Sequence, residues 1–249
     1  MLDFFLKYYF IIFNEGVIVL AGLFGILSYS KFKGTNVRFF IFFLIYIVFI
    51  ELLGYYPSYS KNIEWLSWIP KNTKGTIFEK NILWYTVFWN IGSALFVTFY
   101  FSKILENKKF KAIIKYGGLL FLLVSSLSLI INYQGYYNNQ RDMFIVMGGM
   151  IQIMLCVLLY FYEILMSDKI IAFYKSFHFY VAAAFFIWFL VMTPIAYYQK
   201  YYNAEDEAFV GFRRNVALFS NMLLYLTFVI AFIKCKPQNL SGEIKNEVL

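Results

Sequence analysis

Two carboxylates, Glu15 and Glu51, sit inside long apolar runs of this 249-residue chain. An ionisable group in such a run is costly unless it faces protein, water or a partner, so each is a functional candidate by default. The same runs contain the amides Asn14, Asn90, Gln152 and Asn221, the hydroxyls of Ser125, Ser126, Ser128 and Ser220, and Thr193 followed by Pro194. Carboxylates and amides drawn together in a water-poor interior hold a ligand by charge and hydrogen bonds. Arg141, Arg213 and Arg214 are available as countercharges at the mouth of such a site. The expected ligand-binding set is Glu15, Glu51, Asn90, Gln152, Asn221 and Arg213. A purely structural use stays open for the amides and Ser125, because hydrogen bonds between membrane helices contribute about 0.6 to 2 kcal/mol each.

The elements that must position these groups are read from hydropathy. Seven stretches, 8–28, 37–55, 83–101, 112–131, 143–165, 179–198 and 215–233, match the ~20 apolar residues needed to cross a bilayer as a helix. Composition agrees: 61% of residues are hydrophobic, 14% are charged and mean hydropathy is +0.65, against about 25% charged in a soluble domain. No hydrophilic block of domain size separates the stretches. The chain is therefore expected to be all-α, a polytopic membrane protein with one seven-helix transmembrane domain over residues 1–249 and a short tail over 234–249. The first stretch lacks the basic start and small-residue cleavage site of a signal peptide and is expected to stay as a helix.

Lys and Arg resist translocation, so short basic loops mark the cytoplasmic side. The loops after the first, third and fifth stretches, with the tail, hold thirteen Lys and Arg; the opposite side holds nine. That places the N-terminus outside and the C-terminus in the cytoplasm. Projected onto this orientation, the polar residues lie in the outer half or near the midplane, leaving the inner half aliphatic and aromatic apart from Tyr160, Tyr162 and Glu163. The asymmetry points to a polar pocket open to the outside. Trp65, Trp68 and Ile69 share one helical face, ended by Pro70, and predict a short helix in the outer interface or a lid. Glu205, Asp206 and Glu207 favour a helix start, with Arg213 and Arg214 about two turns later. Gly117-Gly118 and Gly148-Gly149 predict close helix contacts.

Several chemistries have no support. The single histidine, His178, rules out bis-His haem ligation and multi-His zinc or copper sites within one subunit. The seventh stretch has no central lysine for a Schiff base. Cys156 and Cys235 belong to no paired motif and are expected to be reduced and structural, although the flanking Lys234 and Lys236 could lower the Cys235 thiol pKa. Nucleophile-elbow, phosphate-loop and zinc-protease motifs do not occur. No cofactor, metal or nucleic-acid partner is expected. The 31 Phe and 22 Tyr read as the habit of an AT-rich genome writing membrane helices rather than as a stacking or redox device.

Tyr46 to Glu51 (Tyr-Ile-Val-Phe-Ile-Glu), Trp84-Tyr85 to Trp89-Asn90, and Asn221 to Tyr225 followed by Ala231-Phe232 together resemble uncharacterised seven-helix inner-membrane proteins of Bacteroidota. The resemblance implies a bacterial inner-membrane location and brings no catalytic or ligand residues with it. The resulting expectation is a non-enzymatic protein that senses or binds a ligand at its outer face and acts through another membrane or cytoplasmic protein. Two alternatives stay open: a structural subunit of a cell-envelope complex, and a small-solute transporter or an enzyme acting on lipid-linked substrates.

Overall fold

In lipid every backbone N–H and C=O must be satisfied internally, which leaves a run of apolar residues little choice but helix. The computed structural model describes residues 2–62, 64–66, 68–138, 140–198 and 207–237, and among them seven helices are long and apolar enough to cross a membrane. They are Leu2–Leu27, Val37–Gly54, a third spanning Ile82–Ile104, then Lys108–Ile131, Met143–Leu165, Phe177–Tyr198 and Glu207–Lys234. We refer to them as the first to seventh helices. The ends that differ from the hydropathy reading have local causes. The fourth helix starts at Lys108 because the Asn107 side chain caps the Lys109 N–H at 2.9 Å. Glu163 of the fifth helix accepts the Glu106 and Asn107 N–H groups at 2.8 and 2.9 Å, which gives the acid expected in the inner half a structural partner.

The first helix packs on the second and seventh, the seventh on the sixth, the sixth on the fifth, and the fifth on the third and fourth. The third helix meets the second, closing a ring of six, with the fourth lying outside against the third and fifth. Phe40, Ile41, Phe43, Leu44, Ile47, Ile50 and Glu51 of the second helix are all buried, as expected for a helix apolar on every side. The gaps between the third, fourth and fifth helices are narrow where the glycine pairs predicted it. A Cβ on Gly118 would meet Thr98, and one on Gly148 would meet Phe121.

The two ends of the bundle differ. We call the end carrying the 57–80 and 132–142 connections the N-terminal face and the opposite end the C-terminal face. Near the C-terminal face the interior is plugged by rings. Phe40 lies 4.8 Å from Phe228, Phe177 4.8 Å from Phe232, and Phe40 5.4 Å from Tyr100, between ring centroids. Toward the N-terminal face the connection after the second helix forms short helices, Tyr56–Asn62 and Trp68–Thr73, with a 3-10 turn at Glu64–Leu66 between them. Trp65 and Trp68 are strongly exposed. Pro70 does not end this segment as expected. It occupies the first turn of Trp68–Thr73, where its missing N–H would have had no helical partner. Ile63 and Ser67 of this segment, and Glu205 and Asp206 of the expected acidic helix start, lie outside the described residues.

Candidate functional site

Glu51 is 8% exposed and sits in the last turn of the second helix. Its Oε1 accepts the Trp89 Nε1–H at 2.6 Å and its Oε2 accepts the Tyr85 hydroxyl at 2.9 Å. Both donors come from one stretch of the third helix, Tyr85–Gly92, which is wound as π-helix. Such i→i+5 winding is rare and concentrates at functional sites. Two glycines make room for it. A Cβ on Gly54 would collide with the Tyr85 hydroxyl, and one on Gly92 with the Tyr46 hydroxyl. The Tyr46 hydroxyl in turn donates to the Phe88 carbonyl at 2.7 Å. Asn81 Nδ2 to the Gly54 carbonyl (2.9 Å) and Trp84 Nε1 to the Ile50 carbonyl (3.1 Å) hold the start of the third helix against the end of the second.

Glu15, half-buried on the first helix, accepts from the Tyr55 hydroxyl at 3.2 Å and from Asn14 Nδ2 at 2.9 Å. Asn14 Oδ1 accepts from Asn221 Nδ2 at 2.9 Å, and Asn221 Oδ1 accepts from Trp188 Nε1 at 2.9 Å. The Trp188 and Trp89 rings are near-parallel, 11° apart with centroids 6.5 Å from each other. The contacts therefore run from Glu15 through Asn14, Asn221 and the two indoles to Glu51. Tyr225, 4% exposed, is within electrostatic reach of both carboxylates. Glu15 and Glu51 also act on each other, and among the described residues no lysine or arginine is a partner of either. Five helices thus meet at two acidic side chains within electrostatic reach of each other, surrounded by rings and amide groups.

The structure places the other expected residues elsewhere. Gln152 is 4% exposed and donates to Thr98 Oγ1 (2.9 Å) and the Ile114 carbonyl (3.0 Å). It ties the third, fourth and fifth helices together, with its Oε1 against Gly117, and does not join the carboxylates. Asn90 lies in the π-helical stretch, half-buried, and its side chain makes no hydrogen bond among the described residues. Arg213 lines an apolar cavity of about 410 Å³ between the sixth and seventh helices, with Leu190, Val191, Pro194, Phe209, Phe212 and Val216 among its walls. It lies within electrostatic reach of Arg141, and among the described contacts it is a partner of neither Glu15 nor Glu51. Arg214 stacks over Tyr9 at 5.2 Å. Pro194 is accommodated inside the sixth helix without ending it.

Asp142, which sequence reasoning passed over, caps the fifth helix through the Phe144 and Ile145 N–H groups at 3.0 and 3.3 Å. It also receives Ser128 Oγ at 2.5 Å and Asn132 Nδ2 at 2.9 Å. Burial alone would raise its carboxyl pKa, but these four hydrogen bonds outweigh burial and hold it below the usual range. Cys235 corrects an expectation. Burial pushes its thiol up to about 11, and the charge nearby that offsets part of this is Lys31. Lys31 itself donates to the Phe232 carbonyl at 3.0 Å, satisfying the end of the seventh helix. The buried Tyr100 hydroxyl and His178 Nδ1 share a 2.6 Å hydrogen bond.

Tyr55, Tyr85, Trp89, Trp188 and Tyr225 were not among the expected site residues. For Tyr55, Tyr85 and Trp89 one signal was available: a buried carboxylate demands donors, and tyrosine and tryptophan can supply them. No protein-family model, curated protein or solved structure matches the chain. The fold and the site stand on their own geometry: an integral membrane protein of seven apolar helices with an acid-and-aromatic centre in its N-terminal half.

Proposed function

We propose that this is a non-enzymatic protein of a bacterial inner membrane, with its N-terminal face outside, that binds a small ligand at the Glu15–Glu51 centre and acts through a partner protein. The observation that carries the reading is the convergence of five helices on two carboxylates with no basic partner among the described residues. Two such charges held together in a bundle are expensive, and a fold that keeps them has a use for their charge. The ring plug of Phe40, Phe177, Phe228 and Phe232 supports a site reached from one side rather than a through-path.

The π-helical stretch supplies a route for signal transfer. Returning Tyr85–Gly92 to α-helical winding changes the register by one residue and turns the preceding segment by about 100°. That turn withdraws Tyr85 from Glu51. A ligand that engages Glu51 in one register favours that state of the third helix by its difference in affinity between the two. A partner at the basic C-terminal face reads the change.

The test is access from outside. In spheroplasts carrying Tyr225→Cys, with Cys156 and Cys235 replaced by Ala, a membrane-impermeant thiol reagent added outside is expected to label position 225. Labelling only in inverted vesicles overturns the orientation. No labelling from either side, together with unchanged phenotypes for Glu51→Gln and Glu15→Gln in normally inserted protein, overturns the binding reading.

A further inference from the structure

Resting on that reading, we infer that the ligand class of the Glu15–Glu51 centre is a primary ammonium with a short apolar body. The contacts around the centre form an open circuit. From Glu15 it passes through Asn14, Asn221, Trp188 and Trp89 to Glu51, and no hydrogen bond among the described residues closes the remaining step from Glu51 back to Glu15, although the two acids lie within electrostatic reach of each other. A cation between the two carboxylates turns that step into an attraction.

The side chains at the centre choose among cations. Each carboxylate offers about four lone-pair directions, of which Glu51 uses two and Glu15 two among the described contacts. Tyr225 is more than nine-tenths buried, stands in electrostatic reach of both acids, and its hydroxyl makes no hydrogen bond among the described residues. In this assignment Glu15, Glu51 and Tyr225 accept the three N–H donors of one –NH₃⁺ group. Hard metal cations take six or more oxygen ligands, whereas the rest of this centre is indole and phenol ring. In this assignment the rings of Trp89, Trp188, Tyr55, Tyr85 and Tyr225 attract the organic cation and bury its carbon body. Among the described residues no three His, Cys, Asp or Glu side chains come together.

The test uses the full chain, purified in mild detergent, titrated with n-butylammonium chloride and followed by calorimetry and tryptophan emission. Sodium chloride and 1-butanol, at matched concentrations, serve as the inorganic cation and the neutral isostere. The expected result is saturable butylammonium binding at least tenfold tighter than either control. Glu15→Gln and Glu51→Gln are expected to weaken it tenfold or more, and Tyr225→Phe several-fold. The selectivity of the unmodified chain decides the matter even if a variant fails to fold. Equal binding of sodium or butanol overturns the ammonium assignment and leaves a binding centre of another class. Absence of all three, with Tyr225→Cys still labelled from outside, also overturns the assignment alone. The same absence with position 225 sealed from both sides overturns the binding reading as well.

Discussion

The hydrogen bond from Tyr85 to Glu51 offers a direct measure of whether the centre carries charge. The companion bond, Trp89 Nε1 to Oε1, is 2.6 Å long, shorter than the 2.9–3.0 Å usual for neutral N–H···O pairs and at the short edge of charge-assisted ones. A cationic ligand requires Glu51 to be ionised, and the strength of its hydrogen bonds tests that requirement. A hydrogen bond to a charged acceptor contributes about 1.5 to 3 kcal/mol and a neutral one about 0.5 to 1.5. In Glu51→Gln the amide oxygen turns to Trp89, which only donates, and the amide N–H₂ turns to Tyr85, whose hydroxyl also accepts. Both contacts survive without the charge. Tyr85→Phe should then cost about 1 kcal/mol more with Glu at position 51 than with Gln, the difference between the charged and neutral ranges. The relief of repulsion from Glu15 on removing the Glu51 charge occurs in both Tyr85 backgrounds, so a double-mutant cycle cancels it. Reversible unfolding by dodecyl sulfate titration in mixed micelles, followed by circular dichroism, supplies the four stabilities. A coupling within about 0.3 kcal/mol of zero, inside the usual error of additivity, refutes an ionised Glu51, and with it the electrostatic reason for a cationic ligand.

Gln152→Leu is expected to destabilise the bundle by about 1 to 2 kcal/mol, from lost bonds between helices, while leaving butylammonium binding unchanged; a loss of binding would return Gln152 to the site. Gly92→Ala forces a methyl into the Tyr46 hydroxyl and should cost about 1 to 3 kcal/mol, part of which Tyr46→Phe restores by removing the clashing oxygen. Simple additivity of the two losses in the same unfolding assay counts against that packing. Asp142→Asn removes the charged cap and should cost about 1 kcal/mol at pH 7. Because the folded pKa of Asp142 lies below its unfolded value near 4, its contribution is complete above that value and fades as pH falls through the folded pKa. The stability gap between wild type and Asp142→Asn should therefore narrow on acidification, and a gap as wide well below pH 4 as at pH 7 contradicts the assignment. Cys235 should resist iodoacetamide at pH 7.5 in folded protein and react after unfolding, as a thiol held near 11 requires.

The seven helices were legible because lipid imposes a length and an apolar content that sequence displays directly. Glu15, Glu51 and Asn221 were legible for the complementary reason, that polar groups in such runs need partners. Rotation about each helix axis was not legible. Gln152 and Asn221 lie at similar depth and look alike in sequence, yet one faces Thr98 and the Ile114 carbonyl and the other faces Asn14. The aromatic donors were hidden by their abundance, since 22 tyrosines make any one of them unremarked. The π-helical stretch was hidden more completely. Its cause lies in tertiary contacts, the Tyr46 hydroxyl on the Phe88 carbonyl and the glycine notches at 54 and 92, and the local sequence Tyr-Thr-Val-Phe-Trp-Asn-Ile-Gly carries no sign of winding.

The choice of donors at the centre bears on how it works. A lysine or arginine beside Glu51 would neutralise it in every state of the protein, and a ligand arriving at a permanent ion pair would have little charge left to meet. Tyrosine and tryptophan stabilise a carboxylate by hydrogen bonds while leaving its net charge in place. The bundle therefore holds the two acids with the charge uncancelled by any described base. A ligand can move a conformational equilibrium only by the difference in its interaction free energy between the two states. At this centre Tyr85 and Trp89 reach Glu51 from the π-helical stretch of the third helix. In the proposed function, whatever compensates the charge also decides how tightly those donors are held, which couples occupancy to the winding of that stretch.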